Sequence, residues 1–240
     1  MAELLRTEGL TKRFRGLTAN EDINFQMEAG TIRCVIGPNG AGKTTFLSMI
    51  SGHQIPTSGR ISYQGRDVTR LSVVERARIG IGRKFQTPTV FDNLTVRENV
   101  ELAMLRIEAA AGVRARKIDS VLEAVRLTEL GQMLVKHLSH GQRQWLEIGL
   151  LLGNESQLLL LDEPTAGMTN EETAATGRLI RQLADERNLT VIIIEHDIHF
   201  IRDLNAQVTV LHLGKMLMEG SFEEVAADPT VRAVYLGAAS

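Results

Sequence analysis

A single cysteine, Cys34, stands in 240 residues, so no internal disulfide can form, which fits a reducing cytoplasm. It lies in the apolar run TIRCVIG, which reads as a strand carrying a buried, inert thiol. Net charge is almost absent as well. Lys and Arg number 27 against 29 Asp and Glu, leaving −2 at pH 7, without the basic footprint of a nucleic-acid binder. Long apolar runs are missing: the longest, near 148–152, 158–161 and 191–194, fall far short of the ~20 residues of a membrane span. The opening MAELLRTEGLTKRF carries charges throughout, with no apolar stretch of signal-peptide length. No internal repeat or low-complexity linker is visible. The chain is therefore expected to live in water and to meet a membrane only through a partner. A chain of this length buries roughly 70–75% of its unfolded surface, so the core needs no disulfide or structural metal.

Several short segments carry strand character. Arg6–Leu10 and Ile23–Met27 alternate, and Thr31–Ile36 runs into a glycine-rich loop. Lys43–Ile50 follows as a helix, with Phe46, Leu47 and Ile50 on one face. SGRISYQGRDVT reads as a hairpin-like insert. From about Thr95 to Leu152 the period becomes helical, and Gly112 in EAAAGVRARK is expected to break it. Strands return at 157–161, 191–194 and 207–211, the apolar four-residue runs suiting parallel strands covered on both faces. Glu171–Arg187 reads as a crossover helix. The sum is an α/β core, about 1–86 and 156–240, interrupted by a mostly helical insert at about 87–155.

GPNGAGKT at 37–44 matches G-x-x-x-x-G-K-[ST] between a predicted strand and a predicted helix. Gly37, Gly40 and Gly42 let successive N–H groups converge on phosphate oxygens, and the following helix adds its positive dipole end. Lys43 reaches the outer phosphates, and the Thr44 hydroxyl can ligate Mg²⁺. Pro38, Asn39, Ala41 and the next residue, Thr45, complete the expected nucleotide-binding run. The loop alone says only that a nucleoside triphosphate binds.

Three further strings narrow the reading. LLLLDEP at 158–164 is a buried strand ending in two acids. Asp162 is placed to hold Mg²⁺ through water, and Glu163, one residue on, points the other way, where a water could attack the γ-phosphate. LSHGQ at 138–142 opens a helix with Ser139 as its N-cap. Ile194-Glu195-His196-Asp197 sets a histidine just past a strand.

In this order the strings resemble the nucleotide-binding subunit of an ABC transporter, over essentially the whole chain. The resemblance implies a P-loop NTPase (RecA-like) core with an N-terminal antiparallel β subdomain and an inserted α-helical subdomain. It implies ATP and Mg²⁺ as ligands, Phe14 stacked on adenine, Gln86 touching the metal, Glu163 as general base and His196 on the γ-phosphate. Ser139, His140, Gly141 and Gln142 would act on the ATP of an opposite subunit, so that no single chain completes a site. His140 stands where a small residue is commoner. Thr169 stands where many members carry an aspartate. Trp145 reads as packing, and Glu171 and Glu172 as a solvated first turn.

GRKFQTPTVFDNLTVRENV and DPTVRAVYLG resemble the branched-chain amino-acid importers, and LSHGQRQWLEIG and PTAGMTNEE their urea-importing branch. The expectation is an ATPase on the inner face of the cell membrane, most like the urea type, with branched-chain amino acids as the alternative cargo. Expected partners are a second ATP-binding subunit (a copy or a paralogue), two transmembrane permease subunits reached through 87–99 with Phe91 as an apolar contact, and indirectly a solute-binding protein. A soluble ABC ATPase acting on ribosomes or DNA is the competing class, disfavoured by one set of motifs and an acidic balance.

Overall fold

The computed structural model describes residues 3–84, 90–105 and 111–236. Two long strands, β1 (Glu3–Phe14) and β2 (Leu17–Glu28), pair antiparallel through a turn in which Arg15 and Gly16 have φ of 31° and 93°. Two consecutive positive φ values give the turn twist that suits a hairpin. Both strands outrun the stretches expected from sequence, because charged residues such as Glu3, Arg6, Glu8, Asp22 and Glu28 face water while Leu5, Leu10, Ile23, Phe25 and Met27 point inward.

The next strand, β3 (Ile32–Ile36), ends at the glycine loop, and α1 (Lys43–Ile50) leaves it. A hairpin follows, β4 (Ser58–Tyr63) with β5 (Arg66–Asp67), giving a four-stranded antiparallel sheet in the order β2-β1-β4-β5. The short helix α2 (Val73–Arg78) sends the fully buried Arg76 to the end of α1, where it donates to the Met49 and Ile50 carbonyls at 2.6 and 2.7 Å. A cation there satisfies the helix's last carbonyls and its negative dipole end.

The second sheet has six strands in the order β10-β9-β3-β8-β7-β6. It adds β6 (Ile81–Lys84), β7 (Leu158–Asp162), β8 (Thr190–Ile194), β9 (Gln207–His212) and β10 (Lys215–Gly220). Every neighbouring pair is parallel except β9 with β10. Between β6 and β7 lie α3 (Val96–Ala103), α4 (Ala111–Ala124) and α5 (His140–Gly153). The crossover helix α6 (Asn170–Arg187) joins β7 to β8, α7 (Ile198–Asp203) joins β8 to β9, and α8 (Phe222–Ala227) follows β10. No helix among the described residues is long and apolar enough to cross a membrane.

Strand parity sorts the core into two. Leu159, Leu161, Val191 and Ile193 face one cluster, shared with the helices. Leu158, Leu160, Ile192 and Ile194 face the other, shared with α1 and the antiparallel sheet. That is why LLLL is apolar without alternation: both faces are covered. Each fully buried leucine contributes about 1.5–3 kcal/mol.

Two expectations need correcting. Gly112 does not break the helical pattern; it is the second residue of α4, where a Cβ would meet nothing within 4 Å. A helix tolerates glycine there for about 1 kcal/mol. The strand β6 was not anticipated, since IGRK has no apolar alternation. Its two basic side chains leave on opposite faces: Arg83 meets Asp162 at 3.2 Å and Lys84 meets Glu147 of α5 at 3.4 Å.

Candidate functional site

The glycine loop is fixed from behind. Gly37 has φ 148°, and a Cβ there would sit 2.1 Å from the Leu211 carbonyl oxygen. Gly42, the left-handed N-cap of α1, would place a Cβ 2.3 Å from the Ala19 carbonyl oxygen. Both positions therefore exclude side chains. Gly40, by contrast, would meet nothing within 4 Å, so the loop is open on the side a ligand would approach. Lys43 is 6% exposed and its Nζ donates to the Gly37 and Pro38 carbonyls at 2.7 and 3.0 Å. Burial lowers its pKa, with Glu163 and then Asp162 pulling it back up.

A cavity of about 380 Å³ opens over this loop. Phe14, Asn39, Gly40, Ala41, Gly42, Lys43, Thr44, Thr45, Glu163 and His196 line it, so residues up to 182 positions apart in sequence converge there. Phe14 closes β1, is 39% exposed, and has Lys12 Nζ 4.9 Å above its ring. Glu163 has φ 49°, a left-handed backbone uncommon for a side chain of this size. Its N–H donates to the Ile194 carbonyl at 2.9 Å, and its Oε1 lies 3.2 Å from His196 Nε2. A carboxylate beside an imidazole, both facing open space, can take and move a proton. A larger groove, about 720 Å³ between α6 and α7, is lined by none of the glycine-loop residues.

Asp162 is 2% exposed at the end of β7. Its Oδ2 accepts from Arg83 Nη2 at 3.2 Å, while its Oδ1 is buried without a hydrogen-bond partner among the described residues. Burial pushes the carboxyl up, and Arg83 pulls it down. A buried carboxylate oxygen left bare is costly. The residues thus fit a hard cation such as Mg²⁺, with the Thr44 hydroxyl at the start of α1 as the second expected donor. Gln86, the third expected metal contact, lies outside the described residues, as do Thr87–Thr89 of the proposed docking run.

The LSHGQ residues do not line this cavity. Ser139 caps α5 in a capping box: its Oγ accepts from Gln142 N–H at 3.2 Å, and its own N–H donates to Gln142 Oε1 at 2.9 Å. His140 Nε2 lies 2.8 Å from the Ala166 carbonyl oxygen, tying the signature to the loop after β7. Trp145 packs as expected against the helical core, and its Nε1 donates to Thr176 Oγ1 at 2.9 Å.

Sequence reasoning missed three side chains here. Glu172 stands in the first turn of α6 as expected, but it does more than meet water: Ser139 Oγ and Gly141 N–H donate to its Oε1 at 3.1 and 3.3 Å, and Thr169 N–H to its Oε2 at 3.1 Å. Those bonds hold its pKa below the usual carboxylate range, the Thr169 N–H first. Thr169 itself caps α6. The buried Glu195 accepts from Thr165 N–H at 2.9 Å and His196 N–H at 3.0 Å, stitching the loop after β7 to the end of β8. Arg83 is the third. The capping spacing T-x-x-E could have flagged Glu172; nothing in the sequence flags the other two.

The family profile described as ABC transporter matches residues 20–166. The chain belongs to the ABC transporter family. As an ABC cassette it is an ATPase that binds ATP with Mg²⁺ and couples hydrolysis to transport. A second profile, described as branched-chain amino acid ATP-binding cassette transporter, matches residues 215–240. Among curated proteins, the cassette is 34% identical to the high-affinity branched-chain amino acid transport ATP-binding protein BraF of Pseudomonas aeruginosa, covering 98% of each chain. It is 35% identical to the lipopolysaccharide export system ATP-binding protein LptB of Acidithiobacillus ferridurans, covering 99% of this chain and 98% of that one. The crystal structure of the ADP conformation of an ATP-binding cassette of an ABC transporter superposes with a TM-score of 0.89 at 27% identity, covering 99% of this chain and all of that one. The RecA-like fold with its antiparallel sheet and helical part is therefore that of an ABC cassette.

Proposed function

We propose that this chain is the ATP-hydrolysing subunit of an importer of the branched-chain amino-acid group, working as half of a head-to-tail pair with separate permease subunits. The observation that carries the pairing is the division of the site. Phe14, the glycine loop, Glu163 and His196 share one cavity, whereas Ser139, His140, Gly141 and Gln142 stand outside it on the N-terminus of α5. In a pair, the signature of one subunit would close over the phosphates held by the other.

In this reading Phe14 stacks on adenine, and Gly37–Thr45 with Lys43 hold the phosphates. Glu163 orients and deprotonates the attacking water, and His196 contacts the γ-phosphate while fixing the Glu163 carboxylate 3.2 Å away. Thr44, Asp162 and Gln86 would hold Mg²⁺, which when bound neutralises phosphate charge. Phosphate release removes the charge bridging the two halves, so the pair loosens and the permeases read the change. The core and helical insert, about 1–86 with 156–240 and about 87–155, would be the two bodies that move. The docking face would include Phe91, which is 60% exposed. The chain would sit on the inner face of the cell membrane.

Overall identity does not choose the cargo, since an exporter's cassette and an amino-acid importer's cassette score 35% and 34%. The C-terminal match at 215–240 does favour a side, and it supports branched-chain amino acids over urea. The strings LSHGQRQWLEIG and PTAGMTNEE are what keeps urea as the second reading. Uptake of labelled leucine and of urea after deleting this chain decides: loss of leucine uptake alone supports the first, loss of urea uptake alone the second. Sedimentation of the Glu163→Gln variant with and without ATP tests a pair of two copies, and a monomer under both conditions would remove that form and leave only a paralogue as the second half.

A further inference from the structure

Arg83 has no place in the expected constellation, yet it is the side chain that joins its parts. It lies on β6 beside β7, with its side chain 7% exposed and turned toward α1. Its Nη2 donates to Asp162 Oδ2 at 3.2 Å, and its Nη1 to Ser48 Oγ at 2.8 Å and Ser51 Oγ at 3.3 Å. Ser48 in turn donates to the Thr44 carbonyl at 2.7 Å. An unbroken relay therefore runs from Thr44 through Ser48 and Arg83 to Asp162, linking two residues on different elements that are expected to share one metal ion.

The relay also divides the Asp162 carboxylate. One oxygen is occupied by the guanidinium; the other, Oδ1, is left buried and without a hydrogen-bond partner among the described residues. A carboxylate bonded through one oxygen favours the orientation that leaves the second unbonded. We propose that Arg83 is a positioning residue for the metal: it fixes the separation of Thr44 and Asp162 and keeps Asp162 Oδ1 presented to the cation.

A purely structural ion pair is the competing account. Buried ion pairs contribute little net stability over apolar residues of similar volume, so stability alone gives no reason to place a guanidinium here. Geometry gives one. Two partners on different elements are held at fixed spacing by a planar fork, which a lysine ammonium does not reproduce.

The inference rests on the reading of Asp162 as a metal-holding residue, and the test separates the two. In the Glu163→Gln background, Mn²⁺ serves as the probe, and its binding to the protein–ATP complex is followed by electron paramagnetic resonance. ATP affinity is measured separately with the metal chelated. Arg83→Met is expected to weaken Mn²⁺ binding by about 10-fold or more, the usual range for losing a partner behind a metal ligand. Metal-free ATP affinity should stay within about two-fold, and Arg83→Lys should fall between. Ser48→Ala, which cuts the relay at a half-buried hydroxyl, should weaken Mn²⁺ by a smaller factor and decides the matter if Arg83→Met does not fold. Asp162→Asn is the reference: Mn²⁺ affinity unchanged in it sinks the reading of Asp162 itself. Mn²⁺ lost in Asp162→Asn but unchanged in folded Arg83→Met, or in Ser48→Ala where that variant does not fold, overturns the positioning role. So does a parallel fall in metal-free ATP affinity.

Discussion

The two halves of the nucleotide site are built in opposite ways. At the glycine loop, backbone is locked against backbone: the Gly214 N–H donates to the Ala41 carbonyl at 3.1 Å, and Leu211 and Ala19 leave no room for a Cβ at Gly37 or Gly42. Lys43 is buried and already bonded. At the signature, Ser139 is exposed, and its hydroxyl and the Gly141 N–H are satisfied by the Glu172 carboxylate of the same chain. One half is complete before any ligand arrives. The other offers donors that already hold an anionic group, as a helix N-terminus does, but at a surface that another chain can reach.

The contrast can be broken by experiment. Glu163→Gln should leave nucleotide binding intact and lower phosphate release by roughly 10²-fold or more; near-normal turnover would take Glu163 out of the chemistry. Lys43→Ala should weaken ATP binding to the isolated chain by about 10- to 100-fold, the equivalent of ~1.5–3 kcal/mol for bonds from a charged group. An unchanged titration curve would mean the cavity over the loop is not the nucleotide site. Ser139→Ala should lower turnover by about 10-fold, the scale of one hydrogen bond to a charged group, with the isolated chain's ATP affinity moving less than two-fold. If both halves contributed to one-chain binding, that affinity would fall as it does for Lys43→Ala.

The smallest effect lies behind the loop. Burial pushes the Cys34 thiol up to about 12 from 9.0. The folded thiol thus stays protonated where the unfolded one ionises, so this group costs no stability below pH 9 and destabilises as pH rises from there toward 12. A thiol reagent at pH 8 should label the native chain far more slowly than the denatured one, and equal rates would mean that the strand behind the loop is not closed.

Legibility followed the range of the interactions. Strand, loop and α1 were readable to the residue at Lys43–Ile50, because glycine spacing and apolar period are local signals. The four leucines of β7 were readable because burial on both faces leaves a run without alternation. The β6 strand was not, since Arg83 and Lys84 are buried against partners far along the chain, Asp162 79 positions away and Glu147 63. Glu172 was read only in part for the same reason: its own helix explains the first-turn position and the bond to Thr169, but not the bond to Ser139, 33 positions distant. The bond of the His140 ring to the Ala166 carbonyl, 26 positions on, was equally out of reach of local signals.

The Lys84–Glu147 pair has a mechanical consequence. Its side chains are 2% and 4% exposed, so at this point the helical layer is tied to the sheet by opposite charges held out of water. The helical layer therefore cannot slide freely over the sheet at this point. A rigid rotation of that layer is cheapest when it turns about the end of β6 and leaves this contact closed. The N-terminus of α5, seven residues or about 10 Å of helix from the contact, would then travel in proportion to that distance. A buried charge pair near the middle of α5 would thus set the point about which its signature end tilts.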